Sequence, residues 1–149
     1  MTDINNKTEH ILLAKDNDDD AELIRRAIEI ARVKATLEIV GDGQEAVDYL
    51  AGLNQYSDRS QYPFPKLMLL DLQMPRLDGF EVLKITRNQL RFTQLPIIIL
   101  TGSENPSDIK RAYALGATSY FCKPDNLAGM DEMIRVLHAY WLKFNHFPD

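Results

Sequence analysis

Residues 66–83 read KLMLLDLQMPRLDGFEVL. The first six, Lys66–Asp71, are an almost unbroken apolar run that stops on a carboxylate. A strand with one face in water alternates apolar and polar side chains. A run without alternation is buried on both faces, which requires helices above and below a parallel sheet. The next residues hold two turn-forming pairs, Met74-Pro75 and Asp78-Gly79, and Asp78–Gln89 then follows with helical spacing. The unit is therefore strand, tight turn, helix, with Asp71 held at the strand end.

Working outward, the same unit recurs. PIIILT (Pro96–Thr101) is a second continuous apolar strand, followed by a helix over Pro106–Gly116 that ends in a glycine cap. Ser119–Cys122 reads as a short strand. Leu127–Phe144 reads as a long helix with Met130, Met133, Ile134, Leu137, Trp141 and Phe144 on one stripe. Toward the amino end, His10–Ala14 is a strand and Ala21–Arg32 a helix opened by an Asp19/Glu22 capping box. Thr36–Val40 is a strand, Gln44–Leu53 a helix, and residues 54–65 a polar loop closed by prolines. Five strand–helix units predict one α/β domain over 1–149, a three-layer, doubly wound, five-stranded parallel sheet. Residues 1–9 are expected as a polar arm and 143–149 as a C-terminal extension.

Composition sets the outer bounds. With 149 residues the chain fills one domain rather than two. A net charge of −5 and no basic run argue against a nucleic-acid surface. The single cysteine, Cys122, excludes an internal disulfide framework and suits a reducing, cytoplasmic compartment; it reads as a small core residue. The polar start MTDINNKTEH lacks a signal-peptide core, and no apolar stretch is long enough to cross a membrane.

In a doubly wound sheet the functional groups gather beyond the carboxyl ends of the strands. These ends carry Lys15-Asp16, Asp71, Thr101-Gly102 and Lys123-Pro124. Two close carboxylates repel unless a cation or proton intervenes. A hard cation such as Mg²⁺ takes one or two carboxylates together with water and phosphate oxygens. One of the carboxylates can attack phosphorus and form an aspartyl phosphate, with a lysine and a hydroxyl neutralising the phosphoryl oxygens. Asp71 is the candidate nucleophile.

With these residues in place the chain resembles the receiver domain of two-component response regulators, over about Ile11 to Leu142. The resemblance is carried by LLDLQMPRLDGFEVL, PIIILTGS and Lys123-Pro124. It implies a flavodoxin-like strand order, 2-1-3-4-5, and a phosphoprotein that accepts a phosphoryl group on Asp71 from a histidine kinase. Such a protein is a stoichiometric phosphoacceptor that assists its own phosphorylation and dephosphorylation rather than a turnover enzyme. The resemblance further implies that Asp16, Asp71 and the backbone carbonyl of Gln73 hold Mg²⁺. Thr101 and Lys123 would contact the phosphoryl oxygens, and Thr101 and Tyr120 would form the switch pair. Gln73 and Ser103 would tune the phosphoryl lifetime, and Pro124 would follow a cis peptide bond. The long loop before Pro63 and the C-terminal HAYWLKFNHFPD look like small regulators of cyanobacterial phytochrome histidine kinases. That implies a phytochrome kinase as phosphodonor and a homodimer; Tyr140, Trp141 and Phe144, past the usual receiver boundary on the last helix, are the expected interface, and no residues are expected beyond the receiver fold for an output domain.

Plainer readings exist for several of these residues. Asp18, Asp19 and Asp20 are helix-start residues favoured by the helix dipole. Tyr120 also suits half-buried strand packing, and His10, His138 and His146 do not cluster. A flavin carrier on this fold needs a phosphate cradle after the first strand, and KDNDDDAE would repel one. An aspartyl phosphatase usually has a second acid two residues after the nucleophile, where this chain has Gln73.

Lys15 is the departure from the family pattern. The family usually has an acid here, one of a pair that holds Mg²⁺. An ammonium about 5 Å from Mg²⁺ is repelled by at most about 6–7 kcal/mol at an effective dielectric near 20. Lys15 therefore opens a second reading, a degenerate receiver that acts as an interaction module without phosphorylation. It also predicts weaker Mg²⁺ binding, with the ammonium between Asp16 and Asp71.

Overall fold

The computed structural model describes residues 9–148; residues 1–8 of the expected polar arm and Asp149 of the expected extension lie outside the described residues. Five parallel strands, β1 (Glu9–Ala14), β2 (Ala35–Val40), β3 (Leu67–Leu70), β4 (Ile97–Thr101) and β5 (Ser119–Cys122), form one sheet in the order β2-β1-β3-β4-β5. The helices are α1 (Asp18–Ile30), α2 (Gly43–Ala51), α3 (Gly79–Lys84), α4 (Pro106–Ala114) and α5 (Leu127–Leu137). This is the doubly wound, flavodoxin-like sheet expected from the sequence.

The period of two along each strand divides the core between the faces. Leu12, Ala14, Met68, Leu70, Ile97 and Ile99 pack with residues of α2, α3 and α4 on one face. Ile11, Leu13, Leu67, Leu69, Ile98 and Leu100 pack with α1 and α5 on the other. The unalternating strands are the direct consequence: every β3 and β4 residue is buried.

Three local features depart from expectation. Asn17, rather than an Asp19/Glu22 capping box, caps α1: its Oδ1 accepts the amides of Asp19 (2.9 Å) and Asp20 (3.2 Å), so the helix starts at Asp18. The expected helix over 78–89 widens into a π-helical turn at Ile85–Gln89, where Leu90 N–H donates to Ile85 O. The last helix does the same at His138–Phe144. Such one-turn widenings frequently accompany functional or packing constraints. Here the first one contains Arg87, whose guanidinium donates to the carbonyls of Gly116 (3.0 Å) and Phe92 (2.6 Å).

The loop before β3 is packed. Tyr56 is buried, Tyr49, Tyr56 and Tyr62 form an aromatic cluster, and Arg59 donates to Leu50 O at 2.8 Å. Cys122 is exposed and not a core residue, because β5 is an edge strand and its last residue faces away from both cores. No helix among the described residues is long and apolar enough to cross a membrane.

Candidate functional site

Strand order reverses between β1 and β3, and their ends carry the two central side chains. The sheet ladder fixes them: Asp71 N–H donates to Ala14 O (3.0 Å), and Lys15 N–H donates to Val40 O (3.0 Å). Beyond β3 the chain turns sharply and α3 begins. Asp78 caps that helix by accepting the Glu81 amide at 2.9 Å, and Gly79 N–H donates to Leu72 O at 2.9 Å. A methyl group on Gly79 would collide with the Asp71 carbonyl oxygen and come within 2.7 Å of Leu72 Cα. The glycine after Asp78 thus lets the helix start close against the Asp71 backbone; the Asp71 side chain is 11% exposed.

The side chains form an alternating row of charges. Lys15 Nζ lies 3.1 Å from Asp71 Oδ2 and 3.7 Å from Asp20 Oδ2. Lys123 Nζ, from the end of β5, lies 2.6 Å from the same Asp20 oxygen. Two carboxylates and two ammonium groups therefore balance without any other ion. Lys15 is only 3% exposed, whereas the Lys123 side chain is 26% exposed. Asp71 Oδ1 accepts the Gln73 amide at 3.3 Å. Thr101, at the end of the neighbouring β4, is buried.

The other expected residues fall around this row. Tyr120 donates its hydroxyl to Ser103 O at 2.9 Å, tying β5 to the loop after β4, and burial pushes its phenol up from the ordinary value. Ser103 donates its own hydroxyl to Asp108 Oδ2 at 2.7 Å and accepts the Asn105 amide. The expected cis bond before Pro124 is absent: that peptide is trans, the form a prolyl bond favours by about 0.5–1 kcal/mol.

Asp20 is the residue that the sequence reading missed, having assigned it to the helix start. The Asn17 cap puts it in the first turn of α1, with its carboxylate between the two lysines. The expected position of Lys15, between Asp16 and Asp71, is corrected accordingly: its second partner is Asp20. Asp16 is exposed and makes no hydrogen bond or ion pair among the described residues. A divalent cation on Asp71 would stand close to the ammonium that Lys15 places 3.1 Å from Oδ2. Among the described residues, no group of three or more His, Cys, Asp or Glu could hold a metal ion. The donor set Asp16, Asp71 and Gln73 carbonyl does not fit Mg²⁺ with Lys15 in this place. A separate cleft of about 310 Å³, lined by Phe64, Lys66, Arg91, Phe92 and Phe147, opens beside the amino ends of β3 and β4, away from this chemistry.

Comparison with known proteins identifies the family. Residues 11–135 match the family model described as the response regulator receiver domain. The chain is 36% identical over 138 residues to the probable methanogenesis regulatory protein FilR2 of Methanothrix harundinacea, covering 93% of this chain and 86% of that protein. It is 31% identical over 148 residues to response regulator Rcp1 of Synechocystis, covering 99% of each; the Mn(2+)-bound form of Rcp1 superposes with a TM-score of 0.84 at 30% identity, covering 95% of this chain and 99% of that one. The phosphorylated cyanobacterial phytochrome response regulator RcpA superposes with a TM-score of 0.88 at 31% identity, covering 96% of this chain and all of that one.

Proposed function

This chain belongs to the receiver-domain family of response regulators, and from that premise we propose that it accepts a phosphoryl group on Asp71 from a histidine kinase of the phytochrome type. The observation that carries the assignment is the Asp71 carboxylate, at the switch point of the sheet, with an ammonium on one oxygen and Thr101 and Lys123 at the next two strand ends. End-to-end similarity to Rcp1 and RcpA, the latter described as a phytochrome response regulator, supports the choice of kinase.

The residues divide the work. Asp71 attacks phosphorus. Lys123, part-exposed and held by a single carboxylate, can leave Asp20 for the incoming phosphoryl oxygens. The Thr101 hydroxyl is the group on the adjacent strand that reads the product. Tyr120 links that strand end to β5 through Ser103, a route by which the new charge reaches the α4–β5 surface. The Ser103 hydroxyl, engaged by Asp108, sets how readily that loop moves. Because the donor set does not fit Mg²⁺, no step is routed through a metal.

The alternative, a module that acts without phosphorylation, rests on Lys15. Yet Lys15 engages the acceptor carboxylate instead of removing it, which favours an active site of altered charge. Incubation with phosphoramidate followed by intact-mass spectrometry should add one phosphoryl group to the parent and none to Asp71→Asn. Equal labelling of both would move the acceptor elsewhere. Transfer from an autophosphorylated bilin-photoreceptor kinase tests the donor.

We also infer a homodimer that uses the face of α5, supported by the exposed Val136, Tyr140 and Phe144.

A further inference from the structure

We propose that Lys15 is the resident cation of the phosphoryl site, standing where a divalent metal would bind, so that Asp71 is phosphorylated without metal. The inference rests on the reading of Asp71 as phosphoacceptor. Four observations carry it. Lys15 is 3% exposed, so its ammonium sits within the site rather than in solvent. Its Nζ lies 3.1 Å from the acceptor oxygen Asp71 Oδ2. Backbone hydrogen bonds from Lys15 to β2 and from Asp71 to β1 hold the two strand ends side by side, which brings the two side chains within reach of each other. Finally, Asp20 takes up both lysines, at 3.7 Å and 2.6 Å, which leaves the row charge-balanced before any ion enters.

The row also assigns different duties to the two lysines. Lys15 is fixed and holds Oδ2 as a metal would, leaving Oδ1, with its single 3.3 Å hydrogen bond from Gln73, to attack. Lys123 is the movable partner. With phosphoramidate as donor, Oδ1 forms a bond to phosphorus while the P–N bond breaks. The electron pair stays on nitrogen, which is already protonated and leaves as ammonia. The acyl phosphate dianion then gains Lys123 from Asp20, and Lys15 stands between the Asp20 carboxylate and the new phosphoryl charge.

The test measures phosphoramidate labelling by intact mass, in EDTA and in Mg²⁺, for the parent, Lys15→Met, Lys15→Glu and Asp71→Asn. Mn²⁺ binding is followed in parallel by electron paramagnetic resonance. The parent should label in EDTA within about twofold of its rate in Mg²⁺ and should not bind Mn²⁺ at millimolar concentrations, the range of weak carboxylate sites. Lys15→Met should lose about a hundredfold in EDTA, the scale for removing one electrostatic stabiliser. Lys15→Glu should bind Mn²⁺ and label only with metal. Should a buried-lysine variant fail to fold, the parent's own metal response still decides. Parent labelling that vanishes in EDTA and returns with Mg²⁺ overturns this proposal and leaves the phosphoacceptor reading standing. No labelling of the parent under either condition overturns that reading, and this proposal with it. Tight Mn²⁺ binding by the parent overturns the proposal whatever the labelling.

Discussion

At the scale of single residues, Lys15 changes the sign of a familiar effect. In a site made of carboxylates, replacing one acid by its amide relieves repulsion and stabilises the fold. Here Asp71→Asn leaves a buried ammonium with Asp20 alone, 3.7 Å away. Leaving a buried charge poorly paired costs about 1–3 kcal/mol, less than loss of the sole partner of a buried pair because Asp20 remains. The urea midpoint of Asp71→Asn should therefore fall with the m-value unchanged; a rise would mean that the acids still dominate the site. The lysine was visible in the sequence as a departure from pattern, beside Asp16, which matched it. Asp20 was not, because three consecutive aspartates at a helix start are most simply dipole partners. The missed signal was Asn17, among the strongest N-cap residue types, which fixes the helix start and so the direction of each acid after it.

At the scale of elements, the long loop before β3 was legible as a loop and not as a packed one. The tyrosines that pack it, Tyr49 of α2 with Tyr56 and Tyr62 of the loop, are spread over fourteen positions at no single period, so no pattern announced that they meet. Tyr49 donates its hydroxyl to Pro63 O at 2.9 Å and thereby pins the loop to α2. Burial, reinforced by the charge of Glu38, pushes its phenol from 10.0 up to about 12. The unfolded chain ionises first as pH rises. The contribution of Tyr49 to stability is therefore complete below pH 10.0 and is lost as pH climbs toward 12, by at most about 1.4 kcal/mol per pH unit. Tyr49→Phe should be less stable by about 1 kcal/mol near neutrality for want of the hydrogen bond. It should also lose part of the alkaline slope. Denaturant unfolding across that window, with phenolate absorbance to follow ionisation, measures both; identical slopes would place the alkaline sensitivity elsewhere. The π-helical turns were likewise illegible, since an apolar stripe at helical spacing does not report one inserted residue. At Gly79 the case is the reverse: Asp78-Gly79 announced a tight turn, and the turn is what packs α3 against Asp71. Gly79→Ala should shift that turn and slow labelling of Asp71 together with a loss of stability, whereas an unchanged labelling rate would show that the approach has slack.

At the scale of the whole molecule, the continuous apolar strands β3 and β4, alternating with helices, were enough to define the architecture, because burial on both faces leaves a parallel sheet between helices as the available solution. What such patterns cannot define is which part of the final helix faces its own domain. The sequence stripe joined Trp141 to Phe144, but the structure separates them. Trp141 packs on the α1/α5 core and stacks on Phe147 with ring centroids 6.5 Å apart, while Tyr140 is 58% and Phe144 69% exposed. With Val136, 52% exposed, they give α5 and the turn after it an apolar outer face beside the groove lined by Thr118, Phe121 and Trp141. Neighbouring exposed apolar side chains of this size usually mark an interface. A second copy of the same face is the occupant expected for the homodimer. Truncation after Leu137 would also strip Trp141 and Leu142 from the core and so confuse assembly with folding. The double variant Tyr140→Ser/Phe144→Ser removes only exposed rings and avoids this. In sedimentation equilibrium the parent should show a concentration-dependent dimer. The double variant should dissociate at least about tenfold more readily, the effect of about 1.4 kcal/mol, while keeping the parent's urea midpoint. A parent that remains monomeric at every concentration, or a double variant that dimerises as well as the parent, would remove this face from the assembly.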